Sequence, residues 1–168
     1  MQSQDKLRIA ILSAFAIALH AAERLIPSPI PWLRFGLANI VVLLSIILYG
    51  FRVGITITLI RILVGSIFVG TFLGPGFLLS LSGGIISTTA MYLGSILLGN
   101  LLSPFGLSLL GSFFHNLAQL TVAYVLFIKR IDAVMYLAPL ILFLGIITGS
   151  INGIATIALL KKIREDEG

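Results

Sequence analysis

The chain has no cysteine, so neither disulfides nor thiolate metal sites can shape it. Acid is almost as scarce, with six Asp and Glu in 168 residues. Asp5, Asp132 and Asp166 are far from one another in sequence, so no aspartate-rich motif is present to hold Mg²⁺ on a diphosphate. Two histidines, His20 and His115, without an HExxH spacing or a carboxylate pair, suggest no metal site. There is no GxxxxGK[ST] phosphate loop, no GxSxG and no nucleophile beside a base, which argues against ATP hydrolysis and covalent catalysis. The expectation is a protein that is not an enzyme and carries no cofactor. Charge of either sign is also sparse. Only 10% of the residues are charged, where a soluble domain has about 25%.

What fills the chain is apolar: 58% of residues are hydrophobic and the mean hydropathy is +1.14. The apolar runs are far longer than the ~10 alternating residues of an outer-membrane strand. The reading is therefore an all-α integral membrane protein, one domain over 1–168, built as a bundle of six transmembrane helices. The expected spans are 7–26, 33–49, 53–73, 77–98, 105–128 and 133–160. Pro27, Pro29 and Pro31, the Gly50-Phe51-Arg52 turn, Gly74-Pro75-Gly76, the 99–104 loop and the charged 129–132 loop separate them, since proline and glycine interrupt helices. The first run is too long for a signal peptide and ends in Glu23-Arg24 rather than a small-residue cleavage site. The net charge of +5 collects at the span edges, as Lys6 and Arg8 before the first and Lys161, Lys162 and Arg164 after the last. That placement suits a membrane flank and does not form a surface for nucleic acid. Six spans put both termini on one side. The basic residues favour the cytoplasmic side of the cell membrane, with Arg24, Arg34, Lys129 and Arg130 outside.

The first helix has two faces. Ala10, Ala14, Ala18 and Ala22 recur every fourth residue, and His20, Glu23 and Arg24 lie roughly opposite. A small-residue stripe admits a second helix at close range. Ionisable groups at membrane depth must face protein or a cavity. Around the first outer loop, Trp32, Arg34 and Asn39 extend the polar cluster, which reads either as a ligand site or as interfacial ion pairs of Glu23 with Arg24 or Arg34. Trp32 by itself reads as an aromatic-belt anchor. Arg61 lies inside the third span, where an arginine costs at least about 2.5 kcal/mol on insertion scales. It needs a partner, an anionic ligand or a path back to the interface. His115, Asn116 and Gln119 share the fifth span and suggest a cavity lining. Asn152 reads as structural, and Gly145, Gly149 and Gly153 as a packing stripe.

The segments PWLRFGLANI (31–40), FLGPGFLLSLSGG (72–84) and GSFFHNLAQL (111–120) resemble the heptaprenyl diphosphate synthase component I family, also called the Gx transporter family. Together with the AxxxA stripe, the chain is similar to S components of energy-coupling factor (ECF) transporters. That resemblance implies a membrane subunit that binds a small solute from outside. Ala10, Ala14, Ala18 and Ala22 would dock on a coupling subunit driven by two cytoplasmic ABC ATPases. The solute would meet His20, Glu23, Arg24, Arg34, Asn39, Arg61, His115, Asn116 and Gln119. The excess of arginine suits an anionic solute. The competing expectation is a non-catalytic membrane accessory subunit for polyprenyl diphosphate synthesis, which would show a lateral apolar groove.

Overall fold

The computed structural model describes residues 3–23 and 36–167. Among these there are six α-helices and no strand: α1 Ser3–Ala22, α2 Asn39–Tyr49, α3 Phe51–Phe68, α4 Pro75–Leu97, α5 Pro104–Val122 and α6 Ile131–Glu167. A π-helical turn, Ala123–Ile128, prolongs α5. Four segments are long and apolar enough to cross a membrane: Phe51–Phe68, Pro75–Leu97, Pro104–Ile128 and Ile131–Asp166.

Six clear spans are not seen: four helices have the length, and over the described residues α1 and α2 fall short of it. The apolar parts of these helices, Leu7–Ala22 and Asn39–Tyr49, are shorter. The helix expected over 33–49 begins only at Asn39. Gly36 has φ +71°, a conformation that suits glycine, and its carbonyl accepts the Asn39 N–H at 2.8 Å. The 11 residues of α2 are about 16 Å long, half the ~30 Å hydrocarbon core.

Its sequence, NIVVLLSIILY, is apolar on every side, and a helix of that kind belongs in an interior. Asn39 and the six residues from Val41 to Ile46 are all buried. The other helices follow one another around it as α1, α3, α4, α5 and α6, and α2 touches all five. Val41, Val42, Leu43 and Ile46 share the main core with Ala16, Ile57, Met91 and Leu107. Gly50 ends α2 with φ +80° and ψ −176°, which only glycine adopts readily, and α3 begins at the next residue. The Arg8 guanidinium lies 5.6 Å from the Tyr49 ring centre, so the start of α1 and the end of α2 share one level. Proline opens both α4 and α5, where its missing N–H removes no helical bond.

Small residues seat the long helices against each other. A Cβ on Gly153 would lie 2.9 Å from the Phe105 Cα, and one on Gly149 would lie 2.5 Å from the Ser112 Oγ. One on Gly145 would collide with the Asn116 side chain. The α6 glycine stripe is therefore consumed against α5, and the Ser108 hydroxyl adds a 2.7 Å bond to the Gly149 carbonyl. The α1 stripe behaves differently: Ala10, Ala14, Ala18 and Ala22 are exposed, as are Leu7, Ile11 and Phe15. Large apolar side chains cover the outside, and Ser, Thr, Asn, Gln, His, Glu and Arg occupy the interior. That inverted distribution belongs to a protein whose solvent is lipid.

Candidate functional site

Helical rise places the polar residues at a common depth. Counted from the level shared by Arg8 and Tyr49, Asn39 lies about 15 Å along α2, Arg61 a similar distance along α3, and His20 about 18 Å along α1. That distance is about half the ~30 Å thickness of a hydrocarbon core. Arg61 is 3% exposed, and its Nη2 donates to the Asn39 Oδ1 at 2.8 Å. The guanidinium turns inward to the first residue of α2 and does not snorkel to the interface. Glu23 is buried as well, and its Oε1 accepts the Ala38 N–H at 3.2 Å. A carboxylate and a guanidinium thus meet the same helix start, where the α2 dipole is positive. Ala38 itself offers no side-chain cap, so Glu23 supplies one from another helix.

Glycines make room for the remaining members. The His20 ring lies 2.7 Å from where a Gly65 Cβ would stand, one turn along α3 from Arg61. On α4 the adjacent Gly83 and Gly84 face different partners, as residues 100° apart must. The His115 ring comes within 2.8 Å of a Gly83 Cβ position, and the Arg61 Nη2 within 3.7 Å of a Gly84 one. His115 and Arg61 therefore approach α4 at neighbouring residues. Gln119 is buried one turn from His115.

Seven of the nine expected binding residues lie in this interior: His20, Glu23, Asn39, Arg61, His115, Asn116 and Gln119 are all buried. Arg24 and Arg34, together with Trp32, lie outside the described residues. The structure joins Arg61 directly to Asn39 and brings Glu23 to the neighbouring Ala38. It turns Asn116 towards α6, where its Nδ2 donates to the Ile141 carbonyl at 3.0 Å. Asn152, read from sequence as structural and placed towards the inner half, reaches the site's edge. Its Nδ2 donates to the Gly36 carbonyl at 2.9 Å and holds the turn that opens α2. Sequence reasoning missed Gly65 and Gly83 as seats for the two histidines. The adjacent glycine pair in a polar stretch of α4 was the one available signal. Among the described residues, no three His, Asp or Glu side chains gather as a metal site.

The family model for heptaprenyl diphosphate synthase component I matches residues 12–159. The chain belongs to that family. The match runs from α1 into the last turns of α6, and so takes in every described residue of the polar interior. No curated protein and no solved structure matches the chain. In this member of the heptaprenyl diphosphate synthase component I family, the buried polar groups are of kinds that recognise polar ligands. A buried cation, a carboxylate and an amide meet the start of α2, and two imidazoles are buried against α3 and α4 nearby. Such a set can bind and orient a polar ligand away from water.

Proposed function

We propose that this protein is the substrate-binding membrane subunit of an ECF-type uptake transporter, and that it takes up a small anionic solute without catalysing a reaction. The observation that carries this reading is the Arg61–Asn39 pair, buried at mid-membrane depth beside the start of α2. An arginine at such depth costs at least about 2.5 kcal/mol on insertion scales. A purely structural bundle gains little from keeping one there. A half-helix start and a guanidinium both attract negative charge. Glu23, already at that helix start, would be the group a ligand anion exchanges places with.

The α1 stripe supports the same reading. The glycine stripe of α6 is used within the bundle, whereas Ala10, Ala14, Ala18 and Ala22 stay on the surface. That face is offered to a polytopic coupling subunit, which two cytoplasmic ABC ATPases would drive, with both termini of this chain in the cytoplasm.

A second reading has one observation in its favour. Two adjoining hollows of about 420 and 410 Å³ lie between α4 and α5 and share Ile86 and Phe114. Leu93, Leu97, Leu98 and Leu110 continue the lining. This is a lateral, apolar groove of the kind an accessory subunit for polyprenyl diphosphate synthesis would use for a prenyl chain. The family name points the same way.

The deciding experiment is gentle purification from native membranes, with mass spectrometry of everything that accompanies the chain. A coupling subunit with ABC ATPases is the expected result, and a retained small molecule would name the solute. A soluble prenyl synthase recovered without ATPases would overturn the transporter reading.

A further inference from the structure

The far end of α6 carries a second, separate feature. Residues 133–160 contain no Asp, Glu, Lys, Arg or His. At 1.5 Å per residue this run is about 42 Å long, the thickness of a bilayer with its headgroup layers, ~40–45 Å. Lys161 and Arg164 follow at once and so stand at headgroup level. The spacing 157, 160, 161, 164 puts Ile157 and Leu160 on the same helix face as the two cations. That face overhangs Pro104, the first residue of α5. Between them is a hollow of about 560 Å³ lined by Pro104, Ile157, Leu160, Lys161, Arg164 and Glu165. One turn deeper, Gly153 presses on the Phe105 backbone and closes its floor. Lys161 and Glu165 form a 3.7 Å ion pair, and Arg164 joins no ion pair among the described residues.

We propose that this hollow binds the headgroup of an anionic phospholipid. Arg164 and Lys161 would hold the phosphate, and the acyl chains would descend past Ile157. The lining sets two cations against one carboxylate, Glu165, which engages Lys161 and leaves Arg164 as the main anion contact, and its depth is that of the headgroups. Basic pockets between membrane helices at this level suit anionic headgroups. An acidic protein segment would match the cations but would leave the apolar wall that runs down into the membrane without a role. The site lies on the opposite side of Gly153 from the polar interior and is independent of the solute reading.

The test is native mass spectrometry of the full chain in mild detergent with equal phosphatidylglycerol and phosphatidylcholine. Both cationic side chains are exposed, so K161Q/R164Q should melt at the wild-type temperature, which is checked in parallel. Wild type should retain phosphatidylglycerol over phosphatidylcholine. K161Q/R164Q should weaken that retention about tenfold, whereas K129Q/R130Q, at the other end of α6, should not. Equal retention of the two lipids by wild type, or unchanged retention by K161Q/R164Q, overturns the proposal. An equal loss in K129Q/R130Q also overturns it, because a diffuse charge effect would then suffice. Loss of an acidic protein partner from K161Q/R164Q with lipid retention intact would assign the hollow to that partner instead.

Discussion

Replacing Asn39 by leucine separates a structural latch from a ligand anchor. The Asn39 Oδ1 accepts from the Arg61 Nη2 at 2.8 Å, and both residues are buried. A hydrogen bond to a charged donor contributes about 1.5–3 kcal/mol, and N39L also leaves a guanidinium facing an apolar group. For a chain of this size each kcal/mol moves the melting temperature by roughly 2–4 °C. N39L should therefore melt about 3–12 °C lower, followed by the loss of the monodisperse peak after heating in detergent. R61M removes the buried charge together with its need for an acceptor, so it should cost less than N39L. In the R61M background, N39L should cost almost nothing, which gives a coupling of at least about 1 kcal/mol. A cost for N39L that is unchanged by R61M would refute the pairing. R61M, which leaves Asn39 in place, also decides the role of Arg61. A well-folded R61M that still retains the wild-type solute would make the arginine a latch, and loss of the solute would make it an anchor.

Two further glycine changes should destabilise for different reasons. G153A sets a Cβ 2.9 Å from the Phe105 backbone and should cost about 1–3 kcal/mol by overpacking. G50A meets nothing within 4 Å but violates φ +80°, for about 1–3 kcal/mol of backbone strain. Thermal melts of both check these costs, and a wild-type melt of either variant would refute the mechanism given for it. G83A should displace the His115 ring and lower solute retention, whereas G94A meets the flexible tip of Leu110 at 2.6 Å and should leave retention intact. Equal retention in the two variants would remove His115 from the site. A14L/A18L alters only exposed positions, so the melt should move by no more than about 0.5 kcal/mol, while co-purification of a coupling subunit should be lost. An unchanged complex would mean that the stripe is not the docking face.

The helical class, the number of helices and their breaks could be read from apolar run length and from the prolines and glycines. The inward polar residues could be read too, because the high cost of Arg61 or Glu23 in lipid leaves them few places to be. The length of α2 could not. FGLAN followed by an apolar run reads equally as the edge of a full span or as a descent into the bundle, and the backbone at Gly36 settles which. Partners were equally hidden. Asn116 could have faced the cavity or α6, and Asn152 contacts a carbonyl 116 residues away. The alanine and glycine stripes look alike in sequence. Only the packing of α5 shows that one is already occupied within the bundle.

The short α2 explains why the polar interior is so rich. A full-length span would have carried its N–H groups through the membrane as closed helical bonds. By beginning at Asn39, α2 places its first backbone donors inside the bundle: the N–H groups of Asn39 and Ile40 turn back to the Gly36 and Leu37 carbonyls, and that of Ala38 needs an acceptor from elsewhere. Glu23 answers one of these donors, at Ala38. Asn152 fixes the carbonyl of the preceding turn, and Arg61 reaches the side chain of the first helical residue. These three groups come from α1, α6 and α3, so the start of α2 ties together helices that are distant in sequence. Any ligand anion that took the place of the Glu23 carboxylate would release the end of α1 from this junction. Through its inner residues Ser13, Ala16, His20 and Glu23, that same helix carries the outward alanine stripe. On the transporter reading proposed above, occupancy of the site and the position of the alanine stripe would be linked through one rigid element, with no long relay between them.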